Sequence, residues 1–180
     1  MDDEEARTRL LDAAEELFYR HGIQAVGMDR IRAASGVPLK RLYKLFPAKE
    51  SLLIAYLERR DRRWLGSLRE AVNGAGAADP VGAVFGWLAR WFSEPDFRGC
   101  AFLNAYGELG AGPAPVLDVV RRHKAELREL LAGLADTPAQ ADQLLILVEG
   151  ATAVAALNPG PEPALRAGEA AARLLSAATP

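Results

Sequence analysis

Residues 31–46 place a glycine between two short segments that both have helical apolar spacing. The segment reads Ile31-Arg-Ala-Ala-Ser-Gly-Val-Pro-Leu-Lys-Arg-Leu-Tyr-Lys-Leu-Phe46. Leu42 and Leu45 are three residues apart and therefore share one face of the second segment, while Ile31 faces inward from the first. Gly36 can adopt a positive φ without steric cost, which a tight corner requires. The pattern predicts a helix-turn-helix.

The second of these segments directs its cations away from its apolar face. The outward positions include three cations and a tyrosine but no acid, so this helix is expected to face a polyanion, which we take to be DNA. Tyr43 suits a phosphate contact through its hydroxyl, and Lys49 suits one because it stands at a helix N-terminus. The predicted DNA-binding residues are Arg30, Lys40, Arg41, Tyr43, Lys44 and Lys49.

Charge is distributed unevenly along the chain. The whole chain of 180 residues has a formal net charge of −2. Residues 17–49 contain seven cations and one acid, whereas residues 64–180 contain nine cations and thirteen acids. A basic patch on an acidic protein indicates a localised contact with nucleic acid. The alternative is a charged face that contacts only solvent.

Apolar spacing predicts an all-α chain. We expect an N-terminal three-helix DNA-binding domain over residues 1–47 and an α-helical ligand-binding and dimerisation domain over residues 48–180. Asn73–Pro80 has the composition of a loop. The expected helices outside the helix-turn-helix are Glu5–His21, Lys49–Val72, Val81–Ser93, Cys100–Leu109, Ala114–Ala135, Pro138–Leu157 and Pro163–Ala178.

Composition limits the class of protein. Half of the residues are hydrophobic, which is enough to form a core. Cys100 is the only cysteine, so the chain cannot form an internal disulfide, and a reducing cytoplasm is expected. We expect no signal peptide, and no uninterrupted apolar run is long enough to span a membrane. We therefore expect no membrane partner. No metal, cofactor or catalytic residue is predicted either.

The last two predicted helices are apolar around most of their circumference. An apolar face that the helix's own core does not cover needs a partner, and two neighbouring helices of this kind suit a two-fold four-helix interface. The alternative is that both are ordinary core helices. The residues predicted at a dimer interface are Leu144, Leu147, Val148, Ala151, Ala155, Leu165, Ala172 and Leu175.

The middle of the chain holds most of the remaining aromatic side chains. Aromatic walls with a few interspersed polar groups suit a pocket for a small apolar or amphipathic molecule. An aromatic core with satisfied polar groups is the alternative. The predicted ligand-binding residues are Phe85, Trp87, Leu88, Trp91, Phe102, Asn104, Tyr106 and His123.

Two further hypotheses use Cys100. In one, the chain is a small helical enzyme in which Cys100 is a nucleophile and His123 its base, or in which His123, Glu108 and Asn104 bind a metal. No phosphate loop, serine elbow or spaced His/Cys set accompanies these residues, so we expect no enzyme. In the other, oxidation of Cys100 switches DNA binding.

A spaced set of residues extends through the segment from Thr8 to Leu57: Leu10-Leu11-Asp-Ala-Ala-Glu-Glu-Leu-Phe18, Gly22, Ile31, Gly36-Val37, Leu42-Tyr43, Phe46 and Lys49-Glu50-Ser51-Leu52. With this set, the segment resembles the N-terminal domain of the TetR family of transcriptional regulators. Two positions depart from the family pattern near the turn: Arg32 stands where a small residue is usual, and Gly27 stands where a serine or threonine usually caps the helix. Arg41 replaces a common small hydroxyl residue.

This resemblance implies a ligand-responsive DNA-binding regulator. We expect a homodimeric repressor that binds a palindromic operator and is released by a small apolar or amphipathic molecule. Two recognition helices about 34 Å apart would meet successive major grooves. The long helix from Lys49 is expected to tilt when the ligand binds and to change that separation.

Overall fold

Nine α-helices and no strand occur among residues 1–76, 78–110 and 112–176, the part of the chain that this computed structural model describes. The predicted all-α fold is confirmed. The helices are α1 (Asp3–His21), α2 (Met28–Ser35), α3 (Leu39–Leu45), α4 (Lys49–Ala75), α5 (Pro80–Phe92), α6 (Ala101–Leu109), α7 (Ala114–Ala132), α8 (Pro138–Leu157) and α9 (Glu162–Ser176).

The chain folds as two compact units. Unit 1 comprises Met1–Asp61 and Ala101–Arg121, and unit 2 comprises Arg62–Cys100 and Arg122–Pro180. Unit 1 therefore contains α1 to α3, the first half of α4, all of α6 and the start of α7. The boundary predicted between the DNA-binding domain and the ligand-binding and dimerisation domain, between residues 47 and 48, lies inside unit 1. This boundary stays a prediction about function.

Unit 1 packs around α1, which contacts both α2 and α3. Its buried apolar stripe includes Leu10, Ala14 and Phe18, spaced at i, i+4 and i+8 as one face of a helix requires. Ile31 and Leu42 are fully buried, so the predicted inward faces of the two short helices are correct.

Glycines at positive φ form two of the turns in unit 1. Gly22 has φ 86°, and its N–H donates to the carbonyl of Phe18 at 3.0 Å, which ends α1 where the sequence predicted. Gly36 has φ 66° and donates to the carbonyl of Arg32 at 3.1 Å. The corner between α2 and α3 therefore uses the left-handed conformation that glycine adopts without strain.

Unit 2 is a helical bundle in which α5 packs on α8 and α9, and α8 packs on α9. Thr137 and Gln140 form a reciprocal capping box, which fixes the start of α8. The core uses one face of each helix and includes fully buried Leu65, Leu68, Leu88, Phe92, Leu144 and Ala155.

Several predicted boundaries were wrong. Asn73–Ala75 belong to α4, because the helical hydrogen bonds continue through Asn73 and Gly74 despite their low helix propensity. The helix predicted to reach Ala135 ends at Ala132, and the N–H of Gly133 donates to the Glu129 carbonyl at 3.2 Å. The last two residues predicted in the final helix, 177 and 178, lie outside the described residues.

Within the described part of the chain, α8 is the one helix whose length and composition would allow it to span a membrane. Its uninterrupted apolar runs are shorter, as expected, but an 18-residue window has a mean hydropathy of 1.2. Since 39% of that window is buried within the protein, α8 also has the character of a core helix with one uncovered apolar face.

Candidate nucleic-acid interface

The third helix is anchored by Leu42, which has no exposed surface, and by Phe46 directly after it. Lys40, Tyr43 and Lys44 are exposed on the other side of the helix, and 46% of Tyr43 is accessible. A short helix whose apolar side is buried and whose cationic side faces solvent has the arrangement of a recognition helix.

Two cations of this helix are engaged by the acidic start of α1. Lys44 Nζ donates to Asp3 Oδ2 at 2.6 Å, and Arg41 Nε lies 3.6 Å from Asp3 Oδ1. Arg41 also donates to the carbonyl of Met1. The hydrogen bond from Lys44, together with the charges of Lys44 and Arg41, lowers the pKa of the Asp3 carboxyl. Sequence reasoning did not connect Asp3 with the recognition helix, because forty residues separate them.

Lys49 and Arg30 have different surroundings. Arg30 is exposed on α2. Lys49 begins α4 and is half-buried, with Nζ 5.9 Å from the centre of the Phe18 ring. Partial burial lowers the pKa of Lys49, and the negative charge of Glu108 opposes that shift. Lys49 therefore lies nearer the aromatic interior of unit 1 than the sequence indicated.

The departures near the turn are accommodated locally. Arg32 is exposed, and its Nε lies 4.0 Å from Asp29 Oδ1 one turn earlier in α2. Its long stem carries the charge out of the contact between helices. Gly27 provides no side-chain cap to α2, as its lack of a side chain requires.

The first half of α4 is tied to α1 by Arg59. Its guanidinium donates to Asp12 Oδ1 at 2.7 Å and to Glu15 Oε2 at 2.6 Å, and only 11% of the arginine side chain is exposed. The next residue, Arg60, places its guanidinium carbon 3.9 Å from the centre of the Tyr19 ring. These contacts hold the start of the long helix to the helix on which α3 packs.

Comparison with known proteins agrees with this geometry. A family model described as bacterial regulatory proteins of the tetR family matches residues 10–56. The structure of SCO4454, a TetR-family transcriptional regulator from Streptomyces coelicolor, superposes with a TM-score of 0.86. It is 37% identical, and the match covers 96% of this chain and 90% of that one. This chain belongs to the TetR family.

Curated relatives of this TetR-family chain are also transcriptional regulators. Rv1255c of Mycobacterium tuberculosis is 42% identical over 58 residues, which are 32% of this chain and 29% of that protein. The transcriptional repressor KstR of the same species is 30% identical over 119 residues, 66% of this chain and 54% of that protein. The chain therefore spans between about a third and about a half of these relatives. It is a DNA-binding transcriptional regulator.

Five of the predicted ligand-binding residues of this TetR-family regulator lie in unit 2, and three of the five pack against Trp64. The rings of Trp87, Trp91 and His123 lie edge-on to Trp64, with centres 4.9, 5.4 and 5.4 Å away. Phe85 and Leu88 are buried in the same core. A cavity bounded by Trp64, Trp91 and His123 measures about 10 Å³. This is room for one water, far below the roughly 300 Å³ of a small-molecule pocket.

The other three predicted ligand-binding residues lie on α6, in unit 1. Phe102 is buried, whereas Asn104 and Tyr106 are exposed. Asn104 borders an open cleft of about 430 Å³ within unit 1. The aromatic residues in the middle of the chain therefore belong to two different units. Their spacing along the sequence did not indicate this division.

The predicted dimer residues fall into two groups. Leu144, Val148, Ala151 and Ala155 are buried in the core of unit 2, and Ala151 also lines an apolar groove between α8 and α9. Leu165 and Ala172 are exposed, and Leu147 and Leu175 are half-buried. Sequence reasoning missed the exposed apolar side chains of α8, which are Ile146, Val154 and Leu157, with 69%, 53% and 83% of their surface accessible.

Cys100 and His123 border the same cavity of about 10 Å³. Lys124 Nζ donates to Cys100 Sγ at 3.3 Å and to Glu149 Oε1 at 2.7 Å. The sulfur therefore lies beside an ammonium group that a carboxylate holds in place. No group of three or more His, Cys, Asp or Glu side chains that could hold a metal occurs among the described residues.

Proposed function

We propose that this chain is a repressor that binds a palindromic operator as a homodimer and is released by a small apolar or amphipathic molecule. The observation that carries the proposal is the recognition helix, on which Lys40, Tyr43 and Lys44 are exposed while Leu42 is fully buried. We assign Arg30, Arg41 and Lys49 to the same DNA-binding surface. Repression is supported by the 30% identity to KstR, which is named a repressor.

Homodimerisation is supported by an apolar groove on unit 2. The groove lies between α8 and α9, measures about 580 Å³, and is lined by Ile146, Leu147, Val154 and Pro163 among others. An exposed apolar surface of this kind is typical of a protein interface. Pairing with the same groove of a second chain by a two-fold axis would form a four-helix interface, which suits a palindromic site.

We assign effector recognition to the aromatic cluster of unit 2. Because the cavity at Trp91 and His123 holds only about 10 Å³, an effector has to displace side chains to enter. Such rearrangement would be transmitted along α4, which begins in unit 1 and continues into unit 2. Tilting of α4 would move the recognition helix and weaken operator binding.

Selection from random duplexes tests the DNA-binding part of the proposal. We expect the selected site to be palindromic, with half-sites about one helical turn apart, and to bind two chains. Placed over a promoter, this site should reduce transcription when the protein is added. A site without two-fold symmetry, or one chain per duplex, would contradict the proposal.

The effector part has a convenient optical readout. All three tryptophans of the chain, Trp64, Trp87 and Trp91, belong to one aromatic cluster. A compound that enters it should change tryptophan emission and lower operator affinity over the same concentration range. Compounds that release the operator without changing the emission would place the effector elsewhere.

A second candidate is a redox-responsive regulator switched through Cys100. The observation that favours it is the contact between Lys124 Nζ and Cys100 Sγ at 3.3 Å, because a neighbouring ammonium favours the thiolate, which is the form that reacts. With hydrogen peroxide the sulfur attacks one oxygen, the O–O bond breaks, and hydroxide leaves as water after taking a proton. The product is a sulfenic acid.

The Cys100→Ser variant separates the two candidates. Under the redox hypothesis, peroxide lowers the operator affinity of the natural protein and leaves that of the variant unchanged. Under the effector hypothesis, both proteins respond equally to the effector and neither responds to peroxide.

A further inference from the structure

Unit 1 contains a cleft of about 430 Å³ that the functions proposed above do not use. It lies between the end of α1, the first half of α4 and one face of α6. The rings of Phe18, Tyr19 and Tyr56 border it, and Asn104 and Glu108 border it from α6. This volume falls in the range of roughly 300–1,000 Å³ found for small-molecule sites.

Among the described residues that line this cleft, Glu108 is the one acidic or basic side chain. Its Oε2 accepts a hydrogen bond from the backbone N–H of Gln24 at 2.9 Å. A Cβ added to Gly22 would lie 3.1 and 3.2 Å from the two carboxylate oxygens, so the absence of a side chain at Gly22 allows this close approach. The carboxylate is thereby fixed at one end of the cleft.

Two of the aromatic walls also contact cations of the protein itself. Two of the rings already interact with cations of the protein: Arg60 lies 3.9 Å from the ring centre of Tyr19, and Lys49 lies 5.9 Å from that of Phe18. Ring faces attract cations. Arg60 and Lys49, whose charge interacts with Glu108, both oppose a bound cation in part, so a tight complex with a small ligand is not expected.

We propose that this cleft binds a small organic cation with an aromatic or alkyl body. The ammonium group lies at the Glu108 carboxylate, and the body lies against the rings of Tyr19 and Tyr56. Asn104 is exposed at the border of the cleft. This site lies within the unit that carries the recognition helix and is separate from the tryptophan cluster.

Isothermal titration of the full chain with four small probes tests the chemistry. The probes are benzyltrimethylammonium, phenethylamine, 2-phenylethanol and 3-phenylpropionate, which differ mainly in charge. We expect the two cations to bind with Kd on the order of 1 mM, because the cleft is open and Lys49 opposes the charge of the ligand. The alcohol should bind at least tenfold more weakly and the carboxylate not at all. Equal binding of the alcohol and the amines would overturn the assignment.

Two substitutions test the location. Gly107 lines the cleft, and a Cβ added there meets no atom within 4 Å, so Gly107→Leu should fold and fill the space. Gly74→Leu is the matched control, because Gly74 is also helical and also open, but lies in unit 2. We expect Gly107→Leu to reduce phenethylamine affinity at least tenfold and Gly74→Leu to leave it unchanged.

Glu108→Gln keeps the size of the side chain and an oxygen that can accept from Gln24 N–H. It should reduce affinity for the amines at least tenfold and bring it to the level of the alcohol. Tryptophan emission should stay unchanged on binding, because none of the three tryptophans lines the cleft. Undiminished amine binding to both Gly107→Leu and Glu108→Gln, or no amine binding to the natural protein at about 10 mM, would refute the site.

Discussion

Lys44 Nζ donates to Asp3 Oδ2 at 2.6 Å, so an acid at the start of α1 occupies a cation of the recognition helix. A DNA phosphate that binds Lys44 has to displace this carboxylate or share the ammonium with it. We therefore expect Asp3→Asn to raise operator affinity by about two- to fivefold, the range of one exposed ion pair. Fluorescence anisotropy with the selected operator measures the change.

The matched control is Glu4→Gln, which removes one negative charge from the same exposed turn of α1. A general charge effect would raise affinity equally in both variants, whereas displacement of the Asp3 carboxylate predicts a larger gain in Asp3→Asn. Because its pKa is lowered, Asp3 stays ionised at neutral pH, and its contact with Lys44 is lost only as the pH falls below about 4. The ratio of the operator affinity of Asp3→Asn to that of the natural protein should then be constant between pH 6 and 8.

Lys40→Ala tests how the exposed cations of α3 contact DNA. Lys40 is exposed on the same helix as Lys44. If it contacts a phosphate, the variant should bind all duplexes more weakly and reduce the slope of log affinity against log salt by about one unit per DNA-bound lysine. If it contacts a base, the loss should instead be largest for the operator, with relaxed sequence preference at one position.

The sequence predicted the helix-turn-helix of unit 1 well because its signals are local. The inward positions Ile31 and Leu42 and the glycine turn at Gly36 follow from helical spacing and from the steric freedom of glycine. The contact of Asp3 with Lys44 does not follow from spacing, because it depends on how α1 crosses α3 in the folded unit. Likewise, nothing local to Glu108 indicates that its carboxylate accepts from Gln24, 84 residues away.

The prediction for α8 was limited by a physical ambiguity. A helix that is apolar on nearly every side has no preferred face in its sequence pattern, so periodicity could not tell which side enters the core. In the structure the face of Leu144 and Val148 is buried and the face of Ile146 and Val154 is exposed. The tryptophan cluster shows the same limit, since aromatic spacing does not distinguish a packed core from an open pocket.

Arg59→Met tests the tie between α1 and α4. Methionine retains an apolar stem but loses both short hydrogen bonds to Asp12 and Glu15. We expect the free energy of unfolding to fall by about 1–3 kcal/mol, as for loss of a hydrogen bond between charged groups. Arg62→Met, an exposed arginine of the same helix, is the control and should change stability by less than about 0.5 kcal/mol. Equal effects in urea denaturation would contradict a specific role for Arg59.

Val154→Glu tests the proposed dimer. The side chain is 53% exposed in the single chain, so a glutamate there is solvated in the monomer and the fold of unit 2 should be retained. Against the same face of a second chain, two glutamates would be brought together away from water, which is costly. We expect sedimentation equilibrium to give twice the chain mass for the natural protein and one chain mass for the variant.

Leu103→Glu is the control for this change, since Leu103 is an exposed apolar residue of α6, 40% accessible and outside the groove of α8 and α9. In sedimentation equilibrium, the Leu103→Glu variant should have the same mass as the natural protein. Loss of the dimer should also weaken operator binding, because each half-site is then bound independently and one recognition helix supplies fewer phosphate contacts. If Val154→Glu stays dimeric with unchanged operator affinity, chains pair through another surface, and the exposed face of Ile146 and Val154 has a different partner.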